Sequence, residues 1–320
     1  MNPERVGSVA VQVDPAAFDW SSETGPAADV RRVVAAAVAA DGRGPLNEAA
    51  LLSLRHHGLD GATLFLARAE ESDPSAAGFA VVHTAAGTQE PGDLNLVVAP
   101  DCRRRGVGTA LGRAVLTADG ATTRPLNAWS HGNHPAASVL ADRLGFARVR
   151  DLWVMRRSLR EPLPPLEPPP GVELRTFRPE DAAAFLDLNA RAFAHHPEQG
   201  GMTRADLDER AAEAWFDPAG FFLAVDGAGT LLGFHWTKVH DAAPPHGEVY
   251  VVGVSPDARG AGLGGLLTLA GLHHLRDRGL GEVILYVEAD NAPAVHVYER
   301  LGFTHAAADT DVMYQRPAGP

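Results

Sequence analysis

At 320 residues the chain has room for two domains, each able to bury its own core, and its 45% hydrophobic and 21% charged composition is globular rather than disordered. Its 28 basic and 40 acidic residues leave a net charge of −12, the wrong sign for a protein that grips nucleic acid by its phosphates. One cysteine, Cys102, excludes an internal disulfide and a multi-cysteine metal cage, and suits a reducing cytoplasm.

Along the chain, Met1 to Trp20 holds Asp14, Pro15 and Asp19 and no apolar h-region, so no signal peptide is expected. No apolar run reaches the roughly 18 residues that a membrane span needs. Residues 1 to 160 carry 17 Arg and 17 acids, whereas residues 161 to 320 carry 10 Arg, the single Lys238 and 23 acids. The net charge therefore belongs to the second half, where it serves solubility and can attract a cationic substrate. Adjacent pairs such as His56-His57, His195-His196 and His273-His274 point to different helix faces, so no metal site is expected.

Two sets of signposts punctuate the chain. Val98-Ala99-Pro100, Gly106-Val107-Gly108 and Leu144-Gly145-Phe146 recur as Val254-Ser255-Pro256, Gly262-Leu263-Gly264 and Leu301-Gly302-Phe303, at offsets of 156, 156 and 157 residues. An ordered, near-constant offset reads as internal duplication. Between the copies, Glu161 to Gly171 holds six prolines, which forbid helix and mark a linker. The second copy predicts a strand at Val172 to Phe177, a helix at Pro179 to Ala194, and three strands at Phe221 to Val225, Leu231 to Val239 and Val249 to Val254. A helix over Gly264 to Arg278, a strand over Val283 to Val287, a helix over Pro293 to Arg300 and a last strand near Val312 to Tyr314 complete an α/β fold with a mixed sheet.

The chemistry begins where a strand meets a helix through glycines. There backbone N–H groups converge at the positive end of a helix dipole, a seat for pyrophosphate, and Arg259 or the Arg103-Arg104-Arg105 run adds charge. Neither the dinucleotide-binding Gly-x-Gly-x-x-Gly spacing nor a Gly-Lys-Ser/Thr P-loop is present.

Arg103 to Gly108 and Arg259 to Gly264 instead resemble motif A of the GCN5-related N-acetyltransferase (GNAT) superfamily, Arg/Gln-x-x-Gly-x-Gly/Ala. Asn291 to Ala294 and Tyr298 to Phe303 resemble its next motif. The resemblance implies two tandem GNAT domains, residues 1–160 and 172–320 about the 161–171 linker, each a mostly antiparallel twisted sheet flanked by helices. It also implies acetyl-CoA as cosubstrate, lying between two splayed strands. In the second copy the implied contacts are Val252, Gly253, Val254, Arg259, Gly260, Ala261, Gly262, Leu263, Gly264, Gly265, Asn291, Ala292, Pro293, Ala294, Val295 and His296. In the first copy they are Leu96, Val97, Val98, Arg104, Arg105, Gly106, Val107, Gly108 and Thr109.

Within that superfamily, His196 to Gly201, Glu213 to Pro218, Leu232 to His240, Glu248 to Val251 and Leu285 to Glu288 resemble the mycothiol synthase family, with Met202 where that family commonly has Trp. This resemblance implies N-acetylation of the cysteinyl amine of cysteinyl-glucosaminyl-inositol, with Glu48, Glu198, Lys238, Glu248 and Tyr286 at the substrate. Alternatives are another amine, such as an aminoglycoside or a peptide N-terminus, and a non-catalytic CoA-binding sensor. Glu248, at the head of the strand feeding the glycine turn, is the expected general base, and Tyr298 the expected general acid. Backbone N–H groups near Val252 to Val254, with a bulge at Gly253, are the expected oxyanion donors. Aligned on the signposts, Gly92 falls opposite Glu248 and Ala141 opposite Tyr298, so the first copy is expected to be catalytically silent. A duplicated chain has little need to dimerise, and a monomer is expected.

Overall fold

Glycine and proline punctuation divides the chain into twelve strands and nine α-helices among the described residues, which in this computed structural model are 9–68, 75–84, 90–118, 123–195, 197–241 and 244–319. The strands are β1 (Val9–Gln12), β2 (Ala62–Arg68), β3 (Gly78–His83), β4 (Gly92–Val98), β5 (Leu126–Ser130), β6 (Ala147–Ser158), β7 (Val172–Thr176), β8 (Phe221–Asp226), β9 (Leu231–His240), β10 (His246–Val254), β11 (Glu282–Glu288) and β12 (Thr304–Arg316). The helices are α1 (Gly25–Asp41), α2 (Glu48–His56), α3 (Val107–Thr117), α4 (Pro135–Leu144), α5 (Ala182–Ala192), α6 (Pro197–Gly200), α7 (Arg204–Ala211), α8 (Leu263–Asp277) and α9 (Ala292–Arg300). No described helix is long and apolar enough to cross a membrane.

The chain forms two compact units, Met1–Leu152 with Ala308–Pro320, and Trp153–Ala307. These differ from a division at the proline-rich run, for a packing reason. Val312 and Tyr314 of β12 are buried with Leu94, Leu126 and Phe146 of the first unit, and Val312–Arg316 pairs antiparallel with β5. Met155 and Leu159 are buried with Leu275, Val283 and Leu285 of the second unit, where the Leu159 N–H donates to Gly281 O at 3.0 Å.

In the first unit the strand order is β1-β2-β3-β4-β5-β12, antiparallel except for the parallel β4–β5 pair. One core cluster contains Val107, Leu111 and Val115 of α3, and another contains Val30, Val33 and Ala37 of α1. In the second unit the order is β6-β11-β10-β9-β8-β7, with β10 and β11 parallel. There α5 contributes Phe185 and Leu188 to a core with Phe221, Phe234 and Trp236, while α8 supplies Leu272 and Leu275 to a separate one. A sheet clothed by helices on both faces is the layered α/β solution that the alternating pattern calls for.

Both helices of the second unit's site end on a left-handed glycine. Gly279 (φ +82°) closes α8, with its N–H on Arg276 O and the Leu280 N–H on Leu275 O. Gly302 (φ +85°) closes α9, with its N–H on Glu299 O and the Phe303 N–H on Tyr298 O. This double bond pattern is the Schellman cap, whose usual companion is an apolar contact across the turn. Here that contact is Phe303 against the Tyr298 ring, with centroids 5.8 Å apart, so the cap that stops the helix also sets the phenol.

Candidate active site at the parting of two strands

In the second unit, β10 and β11 are paired only from Gly247–Val249 to Val283–Leu285. Beyond that point β10 runs on to Val254 and β11 to Glu288 without pairing to each other, so the two strands part. The first unit repeats the arrangement: Gly92–Leu94 pairs with Leu126–Ala128, and the remainder of β4 does not pair with β5.

The same point carries an irregularity on the other edge of β10. Opposite β9 the register shifts between Val249 and Val251, so Tyr250 is an extra residue. A bulge breaks the inward–outward alternation. Tyr250 and Val251 accordingly both pack among the α5-side aromatics, whereas Val249 and Val252 pack on the α8 side. The bulge expected at Gly253 therefore lies earlier in the strand. Gly253 pairs regularly with Phe234, and it is glycine because a Cβ would sit 2.6 Å from the Phe234 ring.

Glu248 precedes the bulge. It pairs with Lys238 across the antiparallel edge and with Ile284 across the parallel one, and its side chain is only 9% exposed. Directly opposed residues share a sheet face. Lys238 Nζ lies 4.4 Å from the Trp215 ring centroid and 5.2 Å from that of Tyr250, in a cation–π cage. Arg210 Nε donates to Tyr250 Oη at 3.0 Å and fixes one wall of the cage. Tyr286, two residues beyond Ile284 on β11, projects to the same face and is 44% exposed. His240 Nε2 sits 2.6 Å from Glu248 Oε2.

Tyr298 belongs to the other face. It packs in the α8-side core with Leu285 and Val287, and burial pushes its phenol up to about 12, so it stays protonated at neutral pH. Tyr298 and Glu248 thus lie on opposite faces of one sheet, near the place where its strands part.

From Val254 the chain turns through Arg259 and Gly260 (φ +86°) to Gly262 (φ +74°), the N-cap of α8, and no side chain caps that helix. The N–H groups of Leu263, Gly264 and Gly265 are the unbonded donors of its first turn. Arg259, Gly260, Ala261 and Gly262 are exposed beside them. A Cβ at Gly264 or Gly265 would meet only Val254 at 3.8 Å or Val297 at 3.9 Å, so nothing in the protein demands glycine there. At the head of α9, Asn291 Oδ1 accepts the Ala294 N–H at 3.3 Å, and the stretch from Ala292 through Val295 to exposed His296 forms its first turns.

The first unit holds a cleft of about 1540 Å³. It gathers Leu96, Val97, Val98, Arg104, Arg105, Gly106, Gly108 and Thr109, while Val107 is buried behind them. Arg103 and Asp41 also line the cleft and are paired with each other: the two terminal nitrogens of Arg103 donate to Asp41 at 2.7 and 2.6 Å, which holds that carboxyl below its usual range. Arg104 takes φ +61°, the conformation that Gly260 has in the second unit. Glu48 lies in the first turn of α2, after the Asn47 cap. The side chain of Glu198 lies outside the described residues.

Sheet register corrects the comparison of the two copies. The β3–β4 ladder runs unbroken from Gly78–Val98 to His83–Asp93, without the extra residue that β10 has. Upstream of the bulge the counterpart of Glu248 is consequently Asp93, not Gly92. Asp93 pairs with Asn127 where Glu248 pairs with Ile284. Asp93 is exposed, and the position of Tyr298 is still filled by buried Ala141. Reading the sequence also missed His240 and the Trp215–Tyr250 cage. Alternation along β9 puts Lys238 and His240 on one face, but only the register brings Glu248 to them.

The chain matches the Acetyltransferase (GNAT) family over residues 183–303. It is 52% identical over 303 residues to the mycothiol acetyltransferase of a Nocardioides species, covering 90% of this chain and 97% of that one. To the mycothiol acetyltransferase of Nocardia farcinica it is 54% identical over 290 residues, covering 89% and 92%. Among solved structures it resembles a GCN5-related N-acetyltransferase from Sphaerobacter thermophilus, at 26% identity and a TM-score of 0.65 over 100% of this chain and 98% of that one. It shares the fold of a tandem GNAT protein from the clavulanic acid biosynthesis pathway, at 24% identity and a TM-score of 0.69 over 91% and 94%.

Proposed function

The chain belongs to the mycothiol acetyltransferase family of GNAT enzymes, and from that premise we propose how its second unit moves an acetyl group from acetyl-CoA to the cysteinyl amine of cysteinyl-glucosaminyl-inositol. The observation that carries the reading is Glu248, a nearly enclosed carboxylate one residue pair from the place where β10 and β11 separate.

The uncapped start of α8, from Arg259 to Gly265, receives the pyrophosphate, and Val252 to Val254 with Asn291 to His296 flank the pantetheine arm. The acetyl group then lies in the gap between the strands. Glu248 removes a proton from the substrate ammonium, and the freed amine attacks the thioester carbonyl. Beyond the bulge at Tyr250, Val251 to Val254 stay in the β9 ladder, and those of their alternating N–H groups that face away from β9, into the gap left by β11, donate to the developing oxyanion. On the opposite face Tyr298 donates its proton to the departing thiolate. Lys238, Tyr286 and Glu198 serve the hydroxyl-rich acceptor: Lys238 and Tyr286 donate, and Glu198 accepts.

The first unit keeps a glycine turn and a cleft for acetyl-CoA. It retains a carboxylate, Asp93, but has no proton donor for a thiolate at Ala141, which supports a silent copy. The lone thiol fits the cytoplasm, and the internal duplication fits a monomer.

Thiol release from acetyl-CoA by the intact chain with cysteinyl-glucosaminyl-inositol tests the reading. Glu248→Gln is expected to lower kcat by ~10²–10⁴-fold and Tyr298→Phe by ~10-fold or more, with little change in the KM for acetyl-CoA. Turnover of a different amine in place of this one would move the substrate assignment, and unchanged kcat in Glu248→Gln would remove the base.

A further inference from the structure

Amine acetylation from an ammonium releases one net proton. The nitrogen sheds two, the thiolate takes one, and the other must leave the site. Glu248, which takes the first, is 9% exposed and has little direct access to water. Its carboxylate touches one imidazole, His240, with Nε2 2.6 Å from Oε2, and the His240 side chain is 31% exposed. Carboxylate, imidazole and solvent thus form a line leading outward from the acetyl gap.

We propose that His240 is the proton exit of the reaction, accepting at Nε2 the proton that Glu248 takes from the substrate ammonium and returning one to solvent from Nδ1. The step balances. The substrate N–H bond breaks as the Glu248 O–H bond forms, the proton passes to Nε2, the imidazolium loses its Nδ1 proton to water, and proton exchange with solvent then restores the Nδ1–H tautomer, leaving carboxylate and an imidazole with Nε2 free for the next cycle. No oxidant or further reactant is needed. His240 acts through Glu248 and is a positioning and relay residue rather than a catalytic one.

Its surroundings favour the task. The His246 ring stacks on His240 with centroids 4.7 Å apart and planes 12° apart, which fixes the plane in which Nε2 meets the carboxylate. Burial, and then the charge of His240 when it is protonated, hold His246 below its usual range. The other charged groups around the pair are Lys238 on β9, facing Glu248, and Asp241, next to His240. Arg156 and Glu282 bear on His246 and are paired with each other at 2.9 Å. The ring stack and the hydrogen bond both join β9 to β10 where the strands end, which keeps the relay in place while the site fills.

The inference rests on Glu248 being the base, and the experiment separates the two. Steady-state kinetics of the intact chain with acetyl-CoA and cysteinyl-glucosaminyl-inositol are followed from pH 6 to 9 for the natural sequence, Glu248→Gln, His240→Gln and His240→Ala, each checked for an unchanged thermal melt. Glutamine can hydrogen-bond the Glu248 carboxyl group in place of the imidazole but cannot carry a proton onward. A purely orienting role therefore survives His240→Gln and a relay does not. The expected result is a fall in kcat of ~10-fold or more in His240→Gln at unchanged KM for acetyl-CoA, loss of the imidazole's limb from the pH profile, and recovery of His240→Ala by imidazole added to the buffer. A kcat within twofold of the natural chain in His240→Gln at every pH, with Glu248→Gln inactive, overturns the relay and leaves the base. An active Glu248→Gln, or no turnover by the natural chain, overturns both.

Discussion

His235 lies on β9, fully buried, with Nδ1 donating to Leu267 O at 2.7 Å and no partner for Nε2 among the described residues. Burial lowers its pKa to about 4, so the folded chain keeps it neutral where an unfolded chain, titrating near 6.5, would protonate it. Protons then favour the unfolded state. The stability is complete above pH 6.5, falls as the pH drops from 6.5 to about 4, and levels off below; for this one group the loss amounts to about 3 kcal/mol. His83, His246 and His274, each lowered chiefly by burial, push the same way. Urea midpoints measured from pH 7.5 to 4 should decline, and His235→Gln should remove a large part of that slope. The places of Glu248 at a strand head and of Tyr298 just before the Leu-Gly-Phe stop were legible from the sequence because these are local signals. The partnership of Glu248 with His240 was not, because it depends on a cross-strand register that one extra residue, Tyr250, shifts.

At the scale of the element, the glycine turn separates two reasons for glycine. Gly262 needs its left-handed φ of +74° to enter α8, whereas Gly264 is helical and has room for a methyl group, with 3.8 Å to Val254. Alanine suits a helix better than glycine by up to ~1 kcal/mol, so Gly264→Ala should melt at the same temperature or higher. If its N–H lies against a pyrophosphate, the same methyl should raise the KM for acetyl-CoA several-fold. Better stability with poorer cosubstrate binding separates a ligand contact from a packing role, and a melt combined with KM measurements reads both. Strand and helix order was legible because apolar periodicity and glycine stops agree along the second copy. The α6–α7 segment was not, since α7 is polar throughout with only Leu207 buried, and is held by its Thr203–Asp206 capping box rather than by an apolar stripe.

At the scale of the whole molecule, a proline-rich run reports where the chain is extended rather than which core each strand completes. Residues 1–160 alone would lack Val312 and Tyr314, 0% and 6% exposed in the first unit's core, and would leave the β5 edge without its Val312–Arg316 partner. Residues 172–320 alone would lack Met155 and Leu159, 1% and 2% exposed in the second unit's core. Losing buried side chains of this size costs ~2–5 kcal/mol each, against a typical whole-domain stability of ~5–15 kcal/mol, and an open β5 edge invites aggregation. Neither fragment should therefore give a cooperative thermal transition on its own, while the two produced together should recover both the transition and acetyl transfer. A fragment 1–160 with a sharp melt would show that the first unit does not need the chain's last strand. Activity from 172–320 alone would show the same of β6 for the second. The proline-rich run would then be the true boundary, and the two copies independent domains on one chain.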